Sequence, residues 1–147
     1  MDDTQAMGRC LELARAAVGR GNEPYGSVIL RDGAVLAEGE NSQNTDLDPT
    51  AHAETNAIKN ACRVVGSHDL SGTTLYSNFE PCWICATAIR RTGIERVVFA
   101  ATDGDGGYFS AFPILSDTSI VGPTAPAVVP NFMADRSEAL LRELGFR

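Results

Sequence analysis

The 147 residues carry 44% apolar and 21% charged side chains, an ordinary composition for one globular domain that builds its core without disulfide staples. Twelve Lys and Arg against nineteen Asp and Glu give a net charge of −7, a field that repels phosphate backbones and argues against nucleic acid as a partner. No apolar run approaches the ~20 residues of a membrane span, and the acidic start Met1-Asp2-Asp3-Thr4 lacks the layout of a secretory signal, so the expected compartment is the cytoplasm.

In chain order, Met7, Leu11, Ala14 and Val18 recur at helical spacing and predict an amphipathic helix over residues 3 to 19. Gly19-Arg20-Gly21-Asn22 supplies its stop. Tyr25 to Leu30 predicts a strand, Arg31-Asp32-Gly33 a hairpin turn, and Ala34 to Gly39 the returning strand. The polar stretch Asn41 to Asp48 predicts a loop, and Pro49 the start of a second helix that carries His52 to about Cys62. Thr73 to Ser77 predicts a third strand, and Pro81 introduces a helix from about Cys82 to Arg91. Arg96 to Ala101 is a continuous apolar run suited to a central buried strand. After the Gly-rich Asp103 to Gly107, the Pro-punctuated Phe112 to Pro130 has room for a short strand or a turn of helix. Irregular stretches of ~20 residues are usually functional or mobile. Met133 to Leu144 predicts the last helix. The order α-β-β-α-β-α-β-(loop)-α points to an α/β fold, a three-layer α/β/α sandwich over residues 1–147.

Two short motifs carry chemistry: His52-Ala53-Glu54 and Pro81-Cys82-Trp83-Ile84-Cys85. Both fall at predicted helix N-termini, where unpaired N–H groups and about half a positive charge favour thiolates. Cys82 and Cys85, three apart, share one helix face and can reach a single ion. With His52 they form a His/Cys/Cys set suited to zinc, one ion per chain. A fourth protein ligand would make the site structural. Cys62 is too far along its helix, about 15 Å from His52; Cys10 reads as a buried core thiol, and His68 as solvated. Three ligands leave a coordination position for water. Glu54 is placed to take a proton from that water and deliver it to a leaving amine, whereas alone it would read as a surface glutamate at a helix start. A redox role for Cys-x-x-Cys leaves His52, Glu54 and Pro81 unused. Arg90-Arg91 and Arg96 read as a solvated helix end rather than a basic patch.

The His-x-Glu and Pro-Cys-x-x-Cys pair is the signature of zinc deaminases. With Asp48-Pro-Thr-Ala-His-Ala-Glu54, Thr74-Leu-Tyr76, Glu80-Pro-Cys-Trp-Ile-Cys85 and Arg96-Val-Val-Phe99, the chain resembles the cytidine deaminase-like superfamily from about Leu11 to Ala101. It is most similar to the guanine deaminase, yeast-type cytosine deaminase and tRNA adenosine deaminase branch. The resemblance implies a five-stranded mixed sheet, a homodimer, and a substrate pocket that includes Asn41, Tyr25, Ala53 and Glu80. By position Asn41 matches a ring-binding asparagine, with a turn-forming residue as the lesser alternative; Tyr25 matches an aromatic pocket wall, and equally suits core. Glu80 lies in the metal loop. Trp83 reads either as a pocket wall or as an interface residue.

Substrate choice in this superfamily is set after Ala101, where Asp103, Asp105, Tyr108, Phe109 and Phe112 are candidates. A carboxylate there can accept from the N–H groups of a guanine-type ring. The expected activity is zinc-dependent hydrolytic deamination of a free nucleobase or related amino-heterocycle, guanine first. The alternatives are a cytosine or nucleoside deaminase, a tRNA adenosine deaminase, and a non-catalytic zinc module. A tRNA enzyme would want a basic tail, whereas the last helix alternates Arg136, Arg142 and Arg147 with Asp135, Glu138 and Glu143.

Overall fold

The computed structural model describes residues 1–103, 112–119 and 124–147. Helix α1 (Asp3–Gly19) opens on a capping box in which Asp2 accepts from the Gln5 N–H and Gln5 from the Asp2 N–H. Its buried stripe is Ala6, Met7, Cys10, Leu13, Ala14 and Ala17, so Leu11 and Val18 lie at the edge of the buried face rather than within it.

Strands β1 (Gly26–Arg31) and β2 (Ala34–Glu40) form the expected hairpin. Asp32 and Gly33 turn it with φ of 51° and 75°, the paired positive values that a two-residue turn matched to strand twist requires. The loop expected at 41–48 contains a helical turn, α2 (Gln43–Asp46). Its first N–H groups are satisfied from outside the segment: Asn22 Oδ1 accepts from the Asn44 N–H at 3.0 Å and the Thr45 N–H at 3.1 Å. Such a tertiary cap leaves no local signal, unlike the Asn41 Oδ1 that takes the Gln43 N–H.

Helix α3 (Ala53–Val65) begins later than the Pro49 start expected from sequence. The Asp48 carboxylate captures the Thr50 N–H at 2.8 Å and its hydroxyl at 2.6 Å, and this side-chain turn competes with the helix. His52 thereby becomes the N-cap rather than an interior residue. Strand β3 (Thr73–Phe79) runs two residues past its expected end. Helix α4 (Trp83–Thr92) and strand β4 (Arg96–Ala101) follow, then α5 (Phe112–Ser116), β5 (Ala127–Val129) and α6 (Ala134–Glu143). The 112–130 stretch thus holds both a short helix and a short strand.

The sheet runs β2-β1-β3-β4-β5. Pairs β1–β2 and β1–β3 are antiparallel, β3–β4 and β4–β5 parallel, a five-stranded mixed sheet. Alternation divides the core. Val28, Leu30, Tyr76, Val98 and Ala100 pack under α1, and α6 lies on the same side against β3 and β4. Ile29, Leu75, Val97 and Phe99 face Ala57, Ile58, Ala86, Ile89 and Leu115 of α3, α4 and α5. Gly39 of β2 lets α3 lie against the sheet: a Cβ there would collide with the Ala53 carbonyl and the Ala57 N–H, and would stand 3.0 Å from Ala57 Cα.

One geometric result positions the site. Strands β2, β3 and β4 run in the same direction and β1 runs against them, so the residues after β2, β3 and β4 and the one before β1 share an edge. Asn41, Phe79-Glu80, Asp103 and Tyr25 therefore meet there without being near in sequence, at the carboxyl ends of the parallel strands.

Candidate metal centre

Helices α3 and α4 aim their N-termini at one point above this edge. His52 and Cys82 are the two N-caps, both with extended backbone, and Cys85 lies three residues on, on the buried face of α4. His52 Nδ1 stands 3.3 Å from Cys82 Sγ and 3.4 Å from Cys85 Sγ, and the two sulfurs are 3.8 Å apart. Tetrahedral zinc with Zn–S of about 2.3 Å and Zn–N of about 2.0–2.1 Å sets S···S at about 3.8 Å and N···S at about 3.5 Å. The three side chains thus fit a zinc ion without rearrangement. Among the described residues this is the only group of three or more His, Cys, Asp or Glu able to hold a metal, and a three-ligand set leaves a coordination position for a small molecule.

Electrostatics prepare the set. Hydrogen bonding from Cys85, then the His52 ring, brings the Cys82 thiol down to about 4 against the opposition of burial. His52 is raised, chiefly by its contact with Cys82, with burial opposing, and the Pro49 carbonyl accepts a hydrogen bond from its ring. Cys85 is pushed well up by its bond to Cys82 and by burial. Cys10 is fully buried in the α1 core, its thiol also pushed up by burial; Cys62 is half-buried and His68 exposed. None of these three joins the set.

Glu54, 5% exposed, sits on the first turn of α3 with its carboxylate between two donors. Ser77 Oγ donates to Oε1 at 2.5 Å and Cys85 Sγ to Oε2 at 3.3 Å. Burial raises its pKa, and the Ser77 bond works against that.

A cavity of about 180 Å³ opens beside the set, lined by Tyr25, Asn41, Gln43, His52, Glu54, Phe79, Glu80, Cys82 and Asp103. Of the candidate pocket residues, Tyr25, Asn41, Glu80 and Asp103 are present. Ala53 is not: it is fully buried, its carbonyl turned against Gly39. Asp105, Tyr108 and Phe109 lie outside the described residues, as does the side chain of Phe112. Trp83 is 51% exposed and is not among the described residues that line the cavity. Sequence reasoning missed Gln43, Phe79 and Ser77. Phe79 was within reach, since it shares the strand face of Ser77 and falls just before Glu80.

Asn41 is 1% exposed and largely engaged. Its Oδ1 accepts from the Gln43 N–H at 3.1 Å and the Glu23 N–H at 3.4 Å, while Nδ2 donates to Gln43 Oε1 at 2.8 Å. Tyr25 and Phe79 rings lie 5.4 Å apart. Asn78 braces the aromatic wall by accepting from the Gly26 N–H at 2.8 Å and donating to the Pro24 carbonyl at 3.0 Å, on both sides of Tyr25. Arg147 covers Phe79 at 5.4 Å from the ring centre and pairs with Glu138 at 3.2 Å and Asp103 at 3.7 Å.

Residues 1–101 match the model of the cytidine and deoxycytidylate deaminase zinc-binding region. A tRNA-specific adenosine deaminase of Aquifex aeolicus is 40% identical over 111 residues, 75% of this chain and 74% of that protein. A guanine deaminase of Bacillus subtilis is 44% identical over 98 residues, 66% of this chain and 63% of that protein. A solved structure of the tRNA:A34 deaminases that perform A-to-I editing at the wobble position superposes with a TM-score of 0.85 at 35% identity. It covers 94% of this chain and 99% of that one.

Proposed function

Because this chain belongs to the cytidine and deoxycytidylate deaminase zinc-binding family, zinc-dependent hydrolases acting on C–N bonds, we propose that it deaminates a free nucleobase or related amino-heterocycle, guanine first. The observation that carries the choice is the sign of the cavity: the acidic residues Glu54, Glu80 and Asp103 line it, and Arg147, the cation beside it, is paired with Asp103 and Glu138. Carboxylates accept from the N–H groups of a guanine ring, and the tilted rings of Tyr25 and Phe79 offer it apolar walls. A phosphate backbone meets no unpaired cation at this rim among the described residues.

In this reading His52, Cys82 and Cys85 hold the ion, whose chemistry is Lewis-acid activation of water. Water bonds to the amino-bearing ring carbon, the C–N bond breaks, and ammonia departs. Glu54 takes a proton from the attacking water and returns it to the departing nitrogen. Burial, which raises its pKa, suits a carboxylate that must hold that proton between the two transfers. A glutamate buried against the ligand set favours a catalytic centre over a non-catalytic zinc module. The exposed pair Trp83 and Ile84, 51% and 48% accessible, suits the homodimer that the resemblance implies, which the mass in solution tests.

A second reading, deamination of adenosine in tRNA, draws on the 40% identity to the Aquifex enzyme and the TM-score of 0.85. Ammonia release from guanine, cytosine, adenine, guanosine, cytidine and a tRNA substrate separates the two. Guanine is expected to turn over fastest, with kcat falling about 10²–10⁴-fold in Glu54→Gln. Turnover of tRNA alone moves the assignment to the second reading, and full activity of Glu54→Gln ends the assignment of the proton carrier.

A further inference from the structure

We infer that Ser77 is a positioning residue that fixes the Glu54 carboxylate for proton transfer, an inference that rests on Glu54 being the proton carrier. Ser77 belongs to the face of β3 that also presents Leu75 to the α3–α4 core, where an apolar side chain packs best. It is fully buried, and burying a hydroxyl there is costly unless it is bonded. Its partner is Glu54: Oγ donates to Oε1 at 2.5 Å, a charge-assisted geometry. Oγ in turn accepts from the Phe79 N–H at 3.4 Å, which fixes the hydroxyl from the other side.

The bond settles which way the carboxylate faces. With Oε1 held against β3, Oε2 lies on the side of the cysteine pair, 3.3 Å from Cys85 Sγ. Cys85 ligates as a thiolate, a form with no proton to donate. Ser77 is then the described side chain that still donates to Glu54. Without it, packing and the α3 backbone alone hold the carboxylate. The strand thus holds the working group of the helix, as hydrogen bonds around metal sites commonly do.

The test is a cycle in the full chain, with guanine or the base chosen by the substrate panel as probe. Ser77→Ala is expected to lower kcat about 10- to 100-fold with KM and zinc content unchanged. Ser77→Thr, which keeps the hydroxyl in a residue strands accept, restores most of it, and Ser77→Cys, a weaker donor, falls between. Combined with Glu54→Gln, Ser77→Ala adds no further loss, because both remove one function. The infrared carboxylate band identified by difference against Glu54→Gln shifts in Ser77→Ala. Wild-type kcat in Ser77→Ala, multiplicative losses in the double variant, or loss of zinc overturns the inference. Should Ser77→Ala fail to fold, the ranking Ser and Thr above Cys decides it, and any other order counts against it. Full activity of Glu54→Gln defeats the prior reading of Glu54 instead, and is visible as such.

Discussion

Cys82 and Cys85 lie three residues apart, yet their thiols are driven in opposite directions. Cys82 caps α4 beside the Cys85 thiol and the raised His52 ring, contacts that hold it near 4 against burial. Cys85, bonded to Cys82 and buried, is pushed up. Zinc takes cysteine as thiolate, so its binding releases the protons the pair carries. Replacing Cys82 by serine removes the ready thiolate: zinc content measured by mass spectrometry is expected to fall from one per chain to a small fraction, and full occupancy refutes Cys82 as a ligand. At this scale the sequence was most legible where chemistry is written contiguously, in His-x-Glu and Cys-x-x-Cys. Ser77 and Gln43 were illegible because a serine in a strand and a glutamine in a polar loop carry no pattern of their own. Only the sheet edge gives them partners.

Among elements, the sequence pattern found α1, the β1–β2 hairpin, β3, α4, β4 and α6, through helical period, turn and Pro signals, or an unbroken apolar run such as that of the doubly buried β4. It failed where a side chain from elsewhere sets the boundary: Asn22 creates α2, and Asp48 delays α3 until His52. The delay has chemical weight, because it turns His52 from a helix-interior residue into the cap that faces α4. Gly39 depends on the same helix. Gly39→Ala drives a methyl into the α3 backbone at Ala53 and Ala57, so urea unfolding is expected to show a loss of about 1–3 kcal/mol. Because the displaced turn bears His52 and Glu54, zinc affinity falls as well. Unchanged stability and affinity together would show that α3 does not need this close approach.

Across the whole molecule, the first turn of α1 is tied to β4 by Asp3, whose carboxylate takes 2.9 and 2.6 Å bonds from Arg96 and one of 2.6 Å from the Tyr76 hydroxyl. The Arg96 bond leads the causes that hold Asp3 at about 2 instead of 3.8, with burial opposing. The folded chain therefore binds this proton less readily than the unfolded chain. The contribution is complete above about pH 4 and is lost as pH falls through 2. Unfolding midpoints of the wild type and Asp3→Asn are expected to differ at pH 6, converge between pH 4 and 2, and coincide below. A constant gap across that window would assign the stabilisation to something other than ionisation. No helix among the described residues is long and apolar enough to cross a membrane. The overall layers were legible from element order, whereas the residues after Ala101 that shape the pocket follow no period and left only candidates.

His52 and Cys82 are 30 residues apart, and β3 lies between them. An ion that ties the two closes a loop through the middle of the chain. In the unfolded ensemble such a link removes configurations as a covalent bridge over about 30 residues does, on the order of 3–4 kcal/mol by chain-entropy reckoning. Held by these residues, the metal would be a staple as well as a reagent, joining the hairpin half of the sheet to the parallel half. Stripping it with a chelator under reducing conditions is expected to lower the melting temperature by on the order of 10 °C, and by as much in Glu54→Gln, where the chemistry is gone but the staple remains. Equal melting temperatures with and without zinc would mean that the fold is already closed before the metal arrives.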